Sequence, residues 1–203
     1  MSAAVQRAED FVRASEGRTV LGIAGAPGAG KSTLAALLAE RFGSAAAVVP
    51  MDGFHLSDRV LRARGALDRK GAIDTFDADG YVALLERLRH TADRPVFAPR
   101  FERDLEEPIA AGIEVPPTAR LIITEGNYLL ADADPWSRLH GLCDEIWFVD
   151  SDPRVRLERL TARHERFGKS PQAARAWAAG TDEVNARLVE QTRGRADRII
   201  DWD

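Results

Sequence analysis

The chain has 203 residues, 45% hydrophobic and 30% charged, with 28 Lys and Arg against 32 Asp and Glu for a net charge of −4. That size suits one α/β domain over residues 1–203, and the acidic balance lacks the basic footprint of a nucleic-acid binder. A single cysteine, Cys143, excludes an internal disulfide, and an N-terminus bearing Arg7, Glu9, Asp10 and Arg13 has neither a signal-peptide core nor a membrane span, so a cytoplasmic protein is expected.

In chain order, residues 3–16 carry helical spacing, and Thr19–Ala24 is a short apolar run that suits a strand buried on both faces. A Gly-rich stretch follows at once. Residues 31–42 then put Leu34, Leu37, Leu38 and Phe42 on one helical face, giving the strand, loop and helix order of a phosphate-binding loop. Ala45–Pro50 reads as a second strand. Residues 53–78 are rich in Asp, Arg and Gly without clear periodicity, too long for an idle connection and suited to a binding loop.

Asp79 can cap the next helix, whose apolar stripe is Tyr81, Leu84, Leu85 and Leu88. Extended pieces near Val96 and at Ile113–Val115 flank an arginine-bearing loop. Leu121–Thr124 and Ile146–Val149 are further apolar strands, ending in Glu125 and Asp150 on the same side of the sheet. Pro153 to about Phe167 is helical, Ser170-Pro171 starts another helix that Gly180 kinks or splits, and Arg198–Trp202 supplies a last strand. This alternation predicts a parallel sheet covered by helices on both faces.

Gly25-Ala26-Pro27-Gly28-Ala29-Gly30-Lys31-Ser32 satisfies G-x-x-x-x-G-K-[ST] at every fixed position and is followed by Thr33. Small residues let successive backbone N–H groups turn onto phosphate oxygens, and the next helix adds the positive end of its dipole. Lys31 is expected at the β/γ-phosphates and Ser32 on magnesium. A dinucleotide site is the weaker rival, because no G-x-G-x-x-G can be laid over these glycines.

Three acidic or basic groups beyond the loop are open to two readings each. Asp52, after the second strand, is either a turn residue of an Asp-Gly pair or a carboxylate that takes a hydroxyl proton. Glu125 is either an exposed strand-end acid or the metal-side carboxylate that a phosphate loop needs. Arg156, Arg159, Arg163 and Arg166 fall within roughly 80° of one helical face, as a lid over triphosphate or as a solvated face neutralised by Glu158 and Glu165. His55 reads as a substrate-loop residue, since His90, His140 and His164 show no metal-ligand spacing with it. Trp147, inside an apolar strand, reads as core, and Trp136, Trp177 and Trp202 have a default reading as core or interface residues.

The phosphate loop, Met51-Asp-Gly-Phe-His55, Arg69-Lys-Gly with Asp74-Thr-Phe-Asp77, and Glu125-Gly-Asn-Tyr-Leu-Leu130 together resemble the phosphoribulokinase, uridine kinase and pantothenate kinase group. The likeness covers most of the chain and is nearest to bacterial nucleoside/nucleotide kinase family proteins of the fructose transport system kinase type. It implies a three-layer α/β P-loop NTPase fold with a mostly parallel five-stranded sheet of order 2-3-1-4-5, a substrate loop over about 53–78 and an arginine-bearing lid over about 153–170. It implies that Asp52 acts on the acceptor hydroxyl, and that Phe54, His55, Arg69, Asp74, Asp77, Arg103, Asn127 and Tyr128 face the substrate. Arg159 and Arg163 would serve ATP, with Lys31, Asp52, Glu125 and Arg163 catalytic and Ser32 and Glu125 holding Mg2+.

Asn185 resembles a family position near the end of the lid. Two departures fall in the acceptor region: Ile73 stands where proline is expected, and Glu102 where aspartate is expected. The expected reaction is transfer of the γ-phosphoryl group of ATP to a hydroxyl of a sugar, vitamin or similar polyol. A nucleoside kinase and an ATPase or nucleotide sensor without an acceptor are the alternatives. Nothing in the sequence chooses a monomer over a homodimer.

Overall fold

The computed structural model describes residues 2–15 and 17–202. In chain order the elements are α1 (Ser2–Arg13), β1 (Thr19–Ala24), α2 (Lys31–Phe42), β2 (Ala46–Pro50), α3 (Asp58–Ala63), α4 (Ala78–His90), β3 (Val96–Glu102) and β4 (Glu107–Val115). They continue with β5 (Leu121–Glu125), α5 (Leu139–Leu142), β6 (Glu145–Asp150), α6 (Pro153–Arg166), α7 (Pro171–Trp177), α8 (Glu183–Glu190) and β7 (Arg198–Asp201). The expected first helix therefore stops at Arg13, and residue 16 lies outside the described residues.

Five strands form one sheet in the order β2-β5-β1-β6-β7, every pairing parallel. Counting only the strands of this sheet, the order is the expected 2-3-1-4-5. The remaining two, β3 and β4, form a separate antiparallel hairpin. Side chains alternate along a strand, so each central strand feeds two cores. Val20, Ile122, Ile146 and Phe148 face one side with Tyr81, Leu85 and Leu88 of α4. Leu21, Ile23, Ile123 and Trp147 face the other with Leu34 and Leu38 of α2. Each of these fully buried large side chains contributes about 1.5–3 kcal/mol. Trp147 is core, as its place in an apolar strand predicts.

Register brings the carboxyl ends of three strands level, with Glu125 paired to Ile23 on one side and to Pro50 on the other. The phosphate loop, the turn that carries Asp52 and the end of β5 therefore open on one edge of the sheet, the edge where open α/β sheets bind ligands.

Several expectations about local structure are corrected. The helix α4 is capped by Asp77, whose carboxylate accepts from the Gly80 N–H at 3.0 Å, and not by Asp79, which lies inside its first turn. Residues 53–78 are more ordered than their polarity suggests: they hold α3, capped by Ser57, and two 3₁₀ turns. A six-residue helix is too short to display a periodic stripe. Gly180 sits in a π-helical turn, Ala178–Asp182, that joins α7 to α8.

Candidate active site

The P-loop leads from β1 into α2, and Lys31 at the first helical position is 7% exposed. Its ammonium donates to the carbonyls of Gly25 at 2.9 Å and Ala26 at 3.0 Å, and to Asn127 Oδ1 at 2.8 Å. Those three acceptors use all three N–H bonds of the ammonium. Burial nonetheless lowers Lys31 to about 8, against the pull of Glu125 and Asp52. Next to it Ser32 Oγ donates to Glu125 Oε1 at 2.9 Å.

Glu125 is 6% exposed. Burial, and then the charge of Asp52, raise its carboxyl above the ordinary value. The buried Glu125 carboxylate beside the Ser32 hydroxyl, with its ionisation opposed by burial and by Asp52, is a hard-oxygen pair that suits magnesium. The chain's own residues therefore fit the metal nucleotide: Ser32 and Glu125 would hold the metal, and Lys31 and the loop N–H groups the phosphates.

Asp52 lies in the 3₁₀ turn Met51–Phe54 that follows β2. Its Oδ2 accepts from Arg103 at 3.2 Å, and Arg103 comes from the turn between β3 and β4. Close packing brings the two together. A Cβ added at Gly53 would stand 2.4 Å from the Pro99 carbonyl oxygen, so only glycine lets the hairpin settle on this turn. Burial works against ionisation of Asp52, but the neighbouring His55, Arg103 and Lys31 together outweigh it and hold the carboxyl below its ordinary value. It is an anion at neutral pH.

These groups line one cleft of about 800 Å³. Its lining joins Pro27, Gly28, Gly30, Lys31, Ser32 and Thr33 of the phosphate loop and Arg159 and Arg163 of α6 to Asp52, His55, Lys70, Phe101 and Arg103. Gly25, Ala26 and Ala29 shape the loop from behind, Ala26 and Ala29 being buried. Gly28 also serves packing: at φ 81°, a Cβ there would stand 2.8 Å from the Arg156 carbonyl oxygen of α6.

The arginine stripe of α6 divides. Arg156 is 5% exposed and bolts the helix down, donating to the Pro27 carbonyl at 3.2 Å and to Glu183 Oε2 at 2.6 Å. Arg159 and Arg163 line the cleft, and Arg166 does not. Among the described residues Arg163 makes no hydrogen bond or ion pair with a carboxylate, and burial together with nearby Arg103 lowers its pKa. Two mutually repelling guanidiniums on the lining of one cleft suit an anion.

Five residues expected to face the substrate do not line this cleft. Phe54 is in the core against Tyr81. Arg69 and Asp74 pair with each other on the surface, and Asp77 is spent as the cap of α4. Tyr128 is buried, and its hydroxyl donates to the Gly71 carbonyl at 2.7 Å. Asn185 Nδ2 donates to the same carbonyl at 3.2 Å, so both hold the 53–78 segment in place.

Sequence reasoning passed over other lining residues. Lys70 is held by Asp58 at 2.7 Å and by the Glu106 carbonyl; it stands inside the quoted Arg69-Lys-Gly motif, the one signal that could have found it. Phe101, just before the Glu102 departure, packs its ring at a tilt against His55, with centroids 4.7 Å apart. Lys169 and Trp177 meet across 4.7 Å, and His164 Nε2 lies 2.7 Å from Asp182 Oδ2. Trp177, given only a default core or interface reading, lines the cleft, and nothing in the local spacing of Lys169 or Asp182 marks them.

Comparison with known proteins agrees with this geometry. Residues 20–173 match the model of the phosphoribulokinase/uridine kinase family. The chain is 36% identical over 194 residues to the Schizosaccharomyces pombe protein named "Putative uridine kinase C227.14", covering 90% of this chain and 83% of that protein. The crystal structure of a "putative fructose transport system kinase" from Silicibacter sp. TM1040 is 39% identical, covers 98% of both chains and superposes with a TM-score of 0.85. YFH7 from Saccharomyces cerevisiae, 19% identical, shares the fold at a TM-score of 0.79 over 99% of this chain and 97% of its own. The chain belongs to the phosphoribulokinase/uridine kinase family of P-loop kinases.

Proposed function

We propose that this chain transfers the γ-phosphoryl group of ATP to a hydroxyl of a small molecule of the sugar, vitamin or polyol class. The observation that carries this reading is the setting of Asp52. One carboxylate oxygen is held by Arg103, and the group stays ionised in the same cleft as Lys31, Ser32 and Glu125. A bare ATPase has no use for a second, oriented carboxylate beyond its metal-side acid.

Bound magnesium ATP would supply the transferable phosphoryl group and spread its developing charge. On the protein side, Lys31 releases the carbonyls of Gly25 and Ala26 and turns its charge onto the phosphates. Ser32 and Glu125 would hold the metal, and Arg159 and Arg163 would meet the charge that develops on the phosphoryl group from α6, whose span with its following turn forms the lid of residues 153–170. Asp52, steered by Arg103, orients the acceptor hydroxyl and takes its proton. The 53–78 segment is the substrate loop. An ATP-supplied reducing compartment, the cytoplasm, suits this chemistry and the buried thiol of Cys143.

A nucleoside acceptor is a second reading, supported by the aromatic rings of Phe76, Phe101, Phe167 and Trp177 along the cleft, on which a base can stack. One experiment separates the readings: ADP release measured with magnesium ATP alone and with a panel of sugars, polyols, sugar acids and nucleosides. Stimulation by a polyol or sugar supports the proposal, and stimulation by uridine alone favours the nucleoside reading. Rapid release that no acceptor increases would leave an ATPase.

A further inference from the structure

Arg103 reaches Asp52 from the hairpin turn, and its guanidinium also meets two rings. Its Nη2 donates to Asp52 Oδ2 at 3.2 Å. The centre of the same guanidinium lies 6.0 Å from the ring of Phe101, on its own hairpin, and 5.9 Å from the ring of Phe167. Both distances fall within the reach of a cation–π attraction, about 6 Å. Phe167 belongs to another part of the molecule. It closes α6, its N–H donating to the Arg163 carbonyl at 3.1 Å, and Gly168 at φ 93° ends the helix behind it.

Phe167 stands four positions after Arg163, one helical turn along the same face, and both line the cleft. They act on Arg103 with opposite sign. Arg163 repels it, a repulsion that lowers the Arg163 pKa together with burial, whereas the Phe167 ring attracts it. An anion held by Arg163 offsets the repulsion and leaves the attraction. The triphosphate gathered by the phosphate loop is such an anion, so nucleotide binding favours the seat of Arg103 on Phe167, and with it the hydrogen bond that steers Asp52. Core packing does not account for the ring, since Phe167 is 38% exposed. Arg166 also approaches it, at 5.9 Å, but does not line the cleft.

We propose that Phe167 is a positioning residue that couples the nucleotide half of the cleft to the acceptor half, acting through Arg103 on Asp52. It needs no contact with the phosphates or the acceptor hydroxyl. What it supplies is a coupling free energy: nucleotide on α6 tightens the acceptor site, and an acceptor tightens nucleotide binding by the same factor. The acceptor side of this inference rests on the kinase reading above, while the link between α6 and the hairpin is tested with nucleotide alone.

The first arm is hydrogen exchange of the whole chain, read by mass spectrometry with and without the magnesium complex of the imido analogue of ATP. In the unaltered protein the nucleotide should slow exchange by about 5–10-fold in the phosphate loop and also in the turns that carry Asp52 and Arg103. Phe167→Leu keeps an apolar side chain but no π face. In it the phosphate loop should keep its protection and the two turns should lose theirs, whereas Phe167→Tyr, which keeps a ring, should behave as the unaltered protein. Equal protection of the turns in all three proteins overturns the proposal.

The second arm assays glycerol, ribitol, D-ribose, D-glycerate and uridine. For a compound that is phosphorylated, Phe167→Leu should lower kcat/KM for that acceptor by about 5–10-fold, with the Kd for magnesium ATP in its absence kept within about twofold. The acidic limb of the kcat/KM profile should move to higher pH, because a looser Arg103 holds the Asp52 carboxyl down less; His55, Lys31 and Arg163, which also act on it, are unchanged in the variant. Phe167→Tyr should restore both. A loss without the pH movement, or one that Phe167→Tyr does not repair, makes Phe167 a packing residue and overturns the proposal. Transfer to none of the compounds, by protein whose turns follow the nucleotide as described, supports the coupling and sinks the kinase reading.

Discussion

Lys31 finds its acceptors at Gly25, Ala26 and Asn127, within its own loop and the strand end beside it. Asp52 meets Arg103 across 51 residues of sequence, and only because the hairpin packs on the Gly53 turn. The first half of the cleft is local chemistry, in which the backbone of consecutive small residues makes the site. The second is an assembly, in which the 53–78 segment, the hairpin turn and the end of α6 must each fold before its functional groups come together. A half of the first kind is tied to one ligand class, the triphosphate. A half of the second kind can change its ligand through any of its parts while the chemistry next to it stays the same.

The comparison is broken or sharpened by variants that address one half at a time. The largest effect is expected for Lys31→Ala, which should lower kcat/KM for ATP by at least about 10³-fold through loss of a preorganised charge at the phosphates. Circular dichroism should be unchanged, because the carbonyls that Lys31 releases are those of a loop held by its own backbone. Near-normal turnover, or an unfolded protein, would show that the nucleotide half is not the local device described.

Asp52→Asn should slow transfer to the acceptor by about 10²-fold or more while ATP affinity stays within a few-fold. Calorimetry and acceptor-dependent ADP release on one preparation would measure both. Transfer that survives within tenfold would reduce Asp52 to a turn residue and remove the division between the halves.

A pH effect of intermediate size follows from Lys31. In the free protein its pKa is lowered to about 8, and a bound triphosphate stabilises the ammonium and raises it again. Binding should therefore take up about half a proton at pH 8, and ATP affinity should be about tenfold weaker at pH 9 than at pH 7. Titration calorimetry in two buffers of different ionisation enthalpy measures the uptake. Lys31→Ala should lose it, and uptake that persists in the variant would assign the proton to another group.

The smallest effects are expected outside the cleft. Asp77→Ala removes the cap of α4 and should cost about 1 kcal/mol of stability, seen as a lower Tm, with kcat unchanged. Arg69→Ala breaks only a surface pair and should leave turnover within about twofold. A large loss of activity in either variant would return these residues to the acceptor half.

Much of the molecule was legible before its structure. The central strands were visible because strands buried on both faces are continuous apolar runs, and the phosphate loop because its glycine spacing has few other uses. Asp77 was misread because its motif likeness spoke for substrate, whereas its backbone position three residues ahead of the Gly80 N–H makes it a cap. The stripe of α6 arginines showed one face but could not show that Arg156 is held by Pro27 and Glu183 while Arg163 opens on the cleft. A helical periodicity reports direction around an axis and carries no information about what lies opposite.

By itself the sequence determined what depends on neighbours along the chain: the loop that cradles phosphate, and the apolar runs that become strands buried on both faces. Only the tertiary structure decided which acid has an arginine beside it, which arginines are free for an anion, and which rings Arg103 meets. That last choice brings Phe101 of the hairpin and Phe167 at the end of α6, segments far apart in the chain, to one guanidinium. Attraction of a cation by a ring acts only within about 6 Å, and which groups come that close is a property of the whole fold.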